Sequence, residues 1–281
     1  MTSRKRLRPG ACVRSVLVYL LVLLVSFVFA FPCLWLVLSA FNAEGDLLTL
    51  EGFFPKEYSF HTFQRLFTEI NKYDYKQWFG NTLFVAAVSC VISTALVTAV
   101  AYTMSRYRFK SRKALMKATL ILGIFPNFMN MTALFVLMTQ LHLINNLWGL
   151  ILLYSSGSAM GFLVQKGFFD TIPASIDEAA RIDGATNFTV FRKIILPLSM
   201  PIIVYTALTS FTWPWSDFIL PKLLLKTKDT WTVAVGLMSL GDTEFSRFAA
   251  GSIFIAVPIV VLYFVLVRYM INGMAAGAVK E

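Results

Sequence analysis

The sequence predicts an all-α integral membrane protein, six transmembrane helices carrying one structured cytoplasmic connection. Three observations support this. The composition is 57% hydrophobic and only 14% charged, with a mean hydropathy of +0.69. Apolar stretches long enough for a hydrocarbon core about 30 Å thick, which needs roughly 20 helical residues, recur along the chain. The basic residues also gather on alternate connections, the pattern of loops retained in the cytoplasm.

The spans lie near residues 16–41, 83–104, 118–138, 147–164, 198–220 and 249–270, so residues 1–281 read as a single transmembrane domain. The first follows a basic arm, as a signal peptide does. Its apolar run is too long for one, includes Trp35 and lacks a small-residue cleavage site, so it reads as an uncleaved span. The fourth is interrupted by Tyr154, Ser155, Ser156, Gly157 and Ser158, and the fifth begins among Pro197 and Pro201 and ends among tryptophans. Such breaks are tolerated where neighbouring helices satisfy the freed backbone groups.

Orientation follows from charge. Arg4, Lys5, Arg6, Arg8 and Arg14 precede the first span, and Arg106, Arg108, Lys110, Arg112, Lys113 and Lys117 join the second to the third. Lys166, Arg181, Arg192 and Lys193 lie in the 166–197 connection, and Arg268 and Lys280 near the end. This side is cytoplasmic, with both termini. The opposite side carries Glu44, Asp46, Glu51, Glu57, Glu69, Asp74, Asp229, Asp242 and Glu244. The net charge of +10 is thereby explained without nucleic acid, since the basic residues flank spans instead of forming one soluble face. Cys12, Cys33 and Cys90 show no paired spacing, and His61 and His142 are isolated, so neither a disulfide nor a metal site is suggested.

Two external segments stand out. Residues 42–79 mix charges with Phe53, Phe54, Phe60, Phe63 and Phe67, the last three at helix-like spacing, and read as packing on the outer mouth of the bundle. Residues 221–248 set charges around an apolar middle from Trp231 to Leu240. Their length suits either a binding surface or a segment folded over to seal the bundle.

The cytoplasmic stretch 173–197 is polar yet rich in helix signals. Ser175 with Glu178 three residues later fits a capping box and predicts a helix starting there, with Asp177 and Glu178 at the positive end of its dipole. Gly184 is placed for a left-handed exit. Ala179 and Ala180 keep the helix thin, while Ile176 and Ile182 give it apolar bulk to insert into a cleft. Thr186 then caps a second helix, with Phe188, Phe191 and Ile194 or Ile195 on one side, which Pro197 ends. A helix of about nine residues is marginal in water, so packing must hold it. Either a groove in another protein does so, or both helices lie on the membrane surface or their own bundle.

Polar groups within spans are candidate path-lining residues because lipid desolvates them at high cost: Asn127, Asn130, Tyr154, Ser155, Ser156, Tyr205 and Asp217. Trp213, Trp215 and Phe218 beside Asp217 offer either stacking faces for a sugar or interfacial anchors. No catalytic constellation appears.

Glu178-Ala179-Ala180, then Gly184, then Ile194-x-Leu196-Pro197 resembles, without a gap, the EAA signature of permease subunits of binding-protein-dependent ABC importers. The resemblance continues through Asn81-Thr82, Tyr102 to Arg108, Trp215 to Phe218, Phe248 to Gly251 and Gly277-Ala278-Val279-Lys280. Those stretches are similar to the carbohydrate branch of the family and, through 166–173 and 201–208, to maltose/maltodextrin, MalG-like permeases. Two positions depart from the pattern: Trp215-Ser216-Asp217 stands for the usual aromatic-Asn pair, and the chain ends in Glu281, not glycine.

The resemblance implies the type I importer permease fold, without catalysis by this chain or a cofactor of its own. It implies a heterodimer with a second homologous permease, two cytoplasmic ATPase subunits that bind ATP and Mg, and an external sugar-binding protein. Ser175, Ile176, Glu178, Ala179, Ala180, Ile182, Asp183 and Gly184 would form the coupling helix seated in an ATPase cleft, and Gly277 to Lys280, in the 273–281 tail, would reach the ATPase dimer. It also implies that 221–248 contacts the binding protein and that the cell membrane is bacterial. The residues agree that power comes from elsewhere, since no G-x-x-x-x-G-K-[ST] phosphate loop occurs. A membrane enzyme would want clustered acids or histidines where only Asp217 stands, and an ion-driven transporter would show repeats and more intramembrane charge.

Overall fold

A computed structural model describes residues 9–42, 54–55, 57–69, 74–124, 127–156, 159–241 and 244–278. Their regular structure is helical: α1 (Pro9–Ala40), α2 (His61–Thr68), α3 (Tyr75–Arg106), α4 (Arg112–Ile124), α5 (Asn127–Gln140), α6 (Leu147–Ser156), α7 (Ala159–Thr171) and α8 (Ala174–Ile182). There follow α9 (Asn187–Val190), a π-helical turn (Phe191–Ile195), α10 (Leu196–Leu198), α11 (Met200–Ser216), α12 (Ile219–Leu224), α13 (Val233–Met238) and α14 (Phe245–Ala278). The segments Ser15–Ala40, Tyr75–Arg106, Leu147–Thr171 and Phe245–Met270 are each long and apolar enough to cross a bilayer.

Two further stretches pass that test only as bent pairs. Arg112–Ile124 and Met129–Gln140 meet at 109°, where the sequence reads as one continuous apolar run. Asn187–Leu198 and Met200–Ser216 meet at 77° around Ser199. Pro197 and Pro201 flank that corner, and each lacks the N–H that would tie one helical turn to the next, so the axis bends there. The helix that follows Thr186 accordingly does not stop at Pro197. Proline is tolerated near the start of a helical turn, and the chain stays helical to Leu198.

The chain divides into two compact units. In the first, 1–68 with 240–253, Ala40, Ala249 and Ala250 form a small buried cluster, their short side chains letting backbones approach. The Phe41 ring meets Phe60 edge-on at 5.3 Å and Phe63 at 5.0 Å, while the Thr62 hydroxyl donates to the Asn42 carbonyl at 3.2 Å. Residues 60–63 thus fold back on the end of α1.

In the second unit α3 is central, packing against α6, α7 and α11. Its buried positions, among them Thr82, Val85, Ala86, Ser89, Ser93, Val97 and Ala101, recur at three- and four-residue steps. The start of α3 also receives the chain after α12. Trp78 donates its indole N–H to the Lys228 carbonyl at 2.9 Å, the Asn81 amide donates to the Asp229 and Trp231 carbonyls, and Thr82 accepts the Val233 N–H at 2.8 Å. Residues 228–233 are therefore fastened down on α3 by Trp78, Asn81 and Thr82. Asn145, at φ 59°, holds the same stretch from another side, its carbonyl oxygen accepting from the backbone N–H groups of Lys226 and Thr227 and the hydroxyl of Thr230.

Candidate coupling site

Helix α7 ends at Thr171, and α8 begins three residues later at Ala174 with Pro173 at its N-cap position. The expected capping box does not form. The helix starts ahead of Ser175, which is exposed within the first turn, and no side chain caps the start. A box needs its serine at the cap itself, and that place belongs to Pro173.

The exit behaves as the sequence predicts. Gly184 adopts φ +85°, its N–H donates to the Arg181 carbonyl at 3.0 Å, and the Ala185 N–H reaches back to the Ala180 carbonyl at 2.9 Å. That paired pattern is a Schellman motif, closed by Ala180 and Ala185 packing on one apolar cluster. A Cβ added at Gly184 meets nothing within 4 Å, so the left-handed backbone alone calls for glycine. Thr186 caps the next helix by accepting the Thr189 N–H at 3.2 Å, also as expected.

The two faces of α8 differ. Ile176 and Ala180 pack inward against the cluster of Tyr102, Phe169, Ile172 and Val190. Asp177, only 3% exposed, ion-pairs with Arg106 Nε at 2.9 Å, and Arg106 Nη2 also donates to the Ile172 carbonyl at 3.0 Å. On the preceding helix, Asp170 accepts from Ser105 and pairs with Lys166. The outer face carries Ser175, Glu178, Ala179 and Ile182, all exposed at the i, i+3, i+4, i+7 spacing of one helical stripe. Ile182, 86% exposed, projects from its end. This corrects the expectation for Ile176, which is an internal packing residue; Ile182 alone supplies outward apolar bulk. Asp183 is exposed and, with Gly184, forms the turn.

Sequence reasoning gave Asp177 a dipole role and gave Arg106 only a place in the charge tally. The available signal was periodicity: positions 176, 177 and 180 share a face, so an inward Asp177 demanded a cation from a neighbouring helix.

The candidate path residues do not converge. Trp215 is 2% exposed, edge-on to Phe79 at 5.1 Å and near Phe211 at 6.0 Å, so a stacking role is corrected to core packing. Tyr154 and Asp217 are brought together, the phenol donating to Asp217 Oδ2 at 2.9 Å while Asp217 Oδ1 accepts the Ile219 and Leu220 N–H groups. Ser155 is buried on α6; Asn130 on α5 and Tyr205 on α11 are exposed. The side chain of Asn127 lies outside the described residues, as do Val279 and Lys280; Gly277 and Ala278 close α14. An apolar groove along α3 and α11, with Cys90, Thr94, Thr98, Ile203 and Ala207 in its lining, includes none of these candidates.

Comparison with known proteins bears on the same region. Residues 97–276 match the family described as binding-protein-dependent transport system inner membrane component. The chain is 36% identical over 273 residues to a galactooligosaccharides transport system permease protein, GanQ, of Bacillus subtilis strain 168, covering 95% of this chain and 96% of the relative. It is 36% identical over 269 residues to the maltodextrin transport system permease protein MalD of Streptococcus pneumoniae, covering 94% and 95%. A solved bacterial ABC transporter involved in alginate import has the same fold, with a TM-score of 0.78 over 94% of this chain and 99% of that one at 19% identity. With this multi-pass helical architecture and the EAA segment at its centre, the chain belongs to the family of binding-protein-dependent transport system inner membrane components, as a permease subunit of the ABC importer type.

Proposed function

We propose that this chain forms half of the translocation path of an ATP-driven oligosaccharide importer, with maltodextrin as cargo, and that α8 is its coupling helix. The observation that supports it best is the two-sided character of α8: an inner face locked by the Arg106–Asp177 pair and an outer stripe of Ser175, Glu178, Ala179 and Ile182 facing solvent. A short helix so held is a rigid peg.

On this reading a second homologous permease completes the path, and two cytoplasmic ATPase subunits, binding ATP and Mg, receive the pegs in clefts. Closure of the ATPase pair displaces α8, and the buried ties carry that displacement into α3 and α7 as a rigid-body shift. An external sugar-binding protein delivers cargo to a surface that includes residues 221–248. The C-terminal residues Gly277 to Lys280 extend toward the ATPases. Both termini face the cytoplasm of a bacterial cell whose inner membrane holds the complex, as the basic loops favour.

A galactooligosaccharide is the second reading for the cargo, favoured by the 36% identity to GanQ across 95% of the chain. The deciding experiment reconstitutes the chain with its co-purifying subunits in liposomes. ATP hydrolysis is then measured with binding protein loaded with maltotriose or with galactotriose. Stimulation by maltotriose supports the first cargo, and stimulation by galactotriose alone moves the assignment to the second. Purified complex without any ATPase subunit refutes the importer reading.

A further inference from the structure

Gln165 is fully buried, at 0% exposure, in the middle of α7, a place where lipid and apolar side chains offer nothing to an amide. Both ends of that amide are used. Nε2 donates to Thr98 Oγ1 of α3 at 2.8 Å, and Oε1 accepts from Thr206 Oγ1 of α11 at 3.1 Å. The single Thr206 hydroxyl proton is shared between that amide oxygen and the Ile202 carbonyl of its own turn, 2.9 Å away. One side chain thus joins three helices.

Its place along the chain gives the junction a use. From Gln165, α7 runs about two turns to Ile172 and Pro173, where α8 begins. Over those turns α7 is also fastened to α3 through Asp170, which accepts from Ser105 and is paired within α7 with Lys166, and α8 is fastened to α3 by Arg106. None of these lower ties includes α11. The helix α11 itself is reached from the cytoplasmic side through the π-helical turn and the 77° corner at Ser199, a bent and compliant route. Gln165 supplies a direct one.

We propose that Gln165 is a positioning residue for transport: it holds α11 in register with α7 and α3, so that a displacement of α8 reaches α11 without slippage. The inference rests on the coupling role proposed for α8. An aliphatic side chain of similar volume fills the same space without the cost of burying an amide. What the amide adds is directional: sliding α7 by one turn against either neighbour breaks a hydrogen bond that has no replacement in an apolar surround.

The test uses the complete reconstituted importer and reads ATP hydrolysed per sugar imported. Thr98→Val and Thr206→Val each remove the hydrogen bond to Gln165 while keeping shape, and Thr98→Ser and Thr206→Ser keep the hydroxyl. Each valine variant is expected to raise the ratio about three- to tenfold, the range that one interhelical hydrogen bond in a membrane corresponds to. Each serine variant should stay within about twofold of the unaltered protein. Gln165→Leu should raise the ratio at least as far as either valine variant; if it does not assemble, the threonine pairs decide. A ratio unchanged in both valine variants of an assembled complex overturns the proposal, as does an equal rise in the valine and serine variants. The unaltered complex, run alongside, tests the functional reading separately, because its sugar-stimulated hydrolysis does not depend on Gln165 having this role.

Discussion

The guanidinium of Arg106, at the last position of α3, lies 2.9 Å from the carboxylate of Asp177 in α8, with both side chains almost wholly withdrawn from solvent. Two charges are kept out of water where α3 meets α8. Such a pair adds little net stability over a well-packed apolar pair, but removing one partner strands the other.

Asp177→Ala should therefore destabilise the helix-to-helix contact by about 3–5 kcal/mol, whereas Glu178→Ala on the exposed stripe should cost no more than about 0.5 kcal/mol. Thermal unfolding of the detergent-purified complex checks this. The double substitution Arg106→Met with Asp177→Leu should recover most of the loss, since no charge is then left unpaired.

At Gly184 only the backbone is at issue, because space for a side chain exists. Gly184→Ala should cost about 1–2 kcal/mol and Gly184→Val more, while Gly184→Asn should be milder, as asparagine tolerates the left-handed region. Thermal shift in that order is the expected result. In the importer, Gly184→Val should also leave ATP hydrolysis running with little uptake.

Gly236 presents the opposite situation. An added Cβ would fall within 2.0 Å of the Trp78 ring, deep inside ordinary contact distance. Gly236→Ala should lift α13 off α3 and destabilise by about 1–3 kcal/mol. Limited proteolysis between 225 and 233 should become faster.

Asn145 tests strain against hydrogen bonding. Asn145→Gly keeps the positive φ but removes the acceptor for Lys226, Thr227 and Thr230; Asn145→Ala removes both. Both variants should loosen 226–230 to hydrogen exchange. The alanine variant should lose about 1 kcal/mol more stability than the glycine one.

Much of this architecture is legible in the residues. Span-length apolar runs mark helices because a bilayer admits few other backbones, and Gly184 and Thr186 mark their turns because each satisfies a specific backbone need. The start of α8 was misread because Ser175 and Glu178 satisfy the letter of the capping box while Pro173, already rigid, takes the cap. The surroundings of Trp215 are not legible because an aromatic near a span's end looks the same in sequence whether it faces sugar, headgroups or Phe79. Arg106, Asp177 and Gln165 were missed as a group, since their partners sit between 41 and 71 residues away and a single sequence does not reveal which helices touch.

Disulfide trapping at Ile182 tests the role of α8 most directly. In a chain whose three native cysteines are replaced by serine, Ile182→Cys should crosslink to a cysteine lining a cleft of the co-purified ATPase subunit. Ile176→Cys, on the inner face, should not. If Ile182→Cys in the assembled complex reacts with a water-soluble maleimide but never with the ATPase, the peg is free in solvent and α8 does not couple.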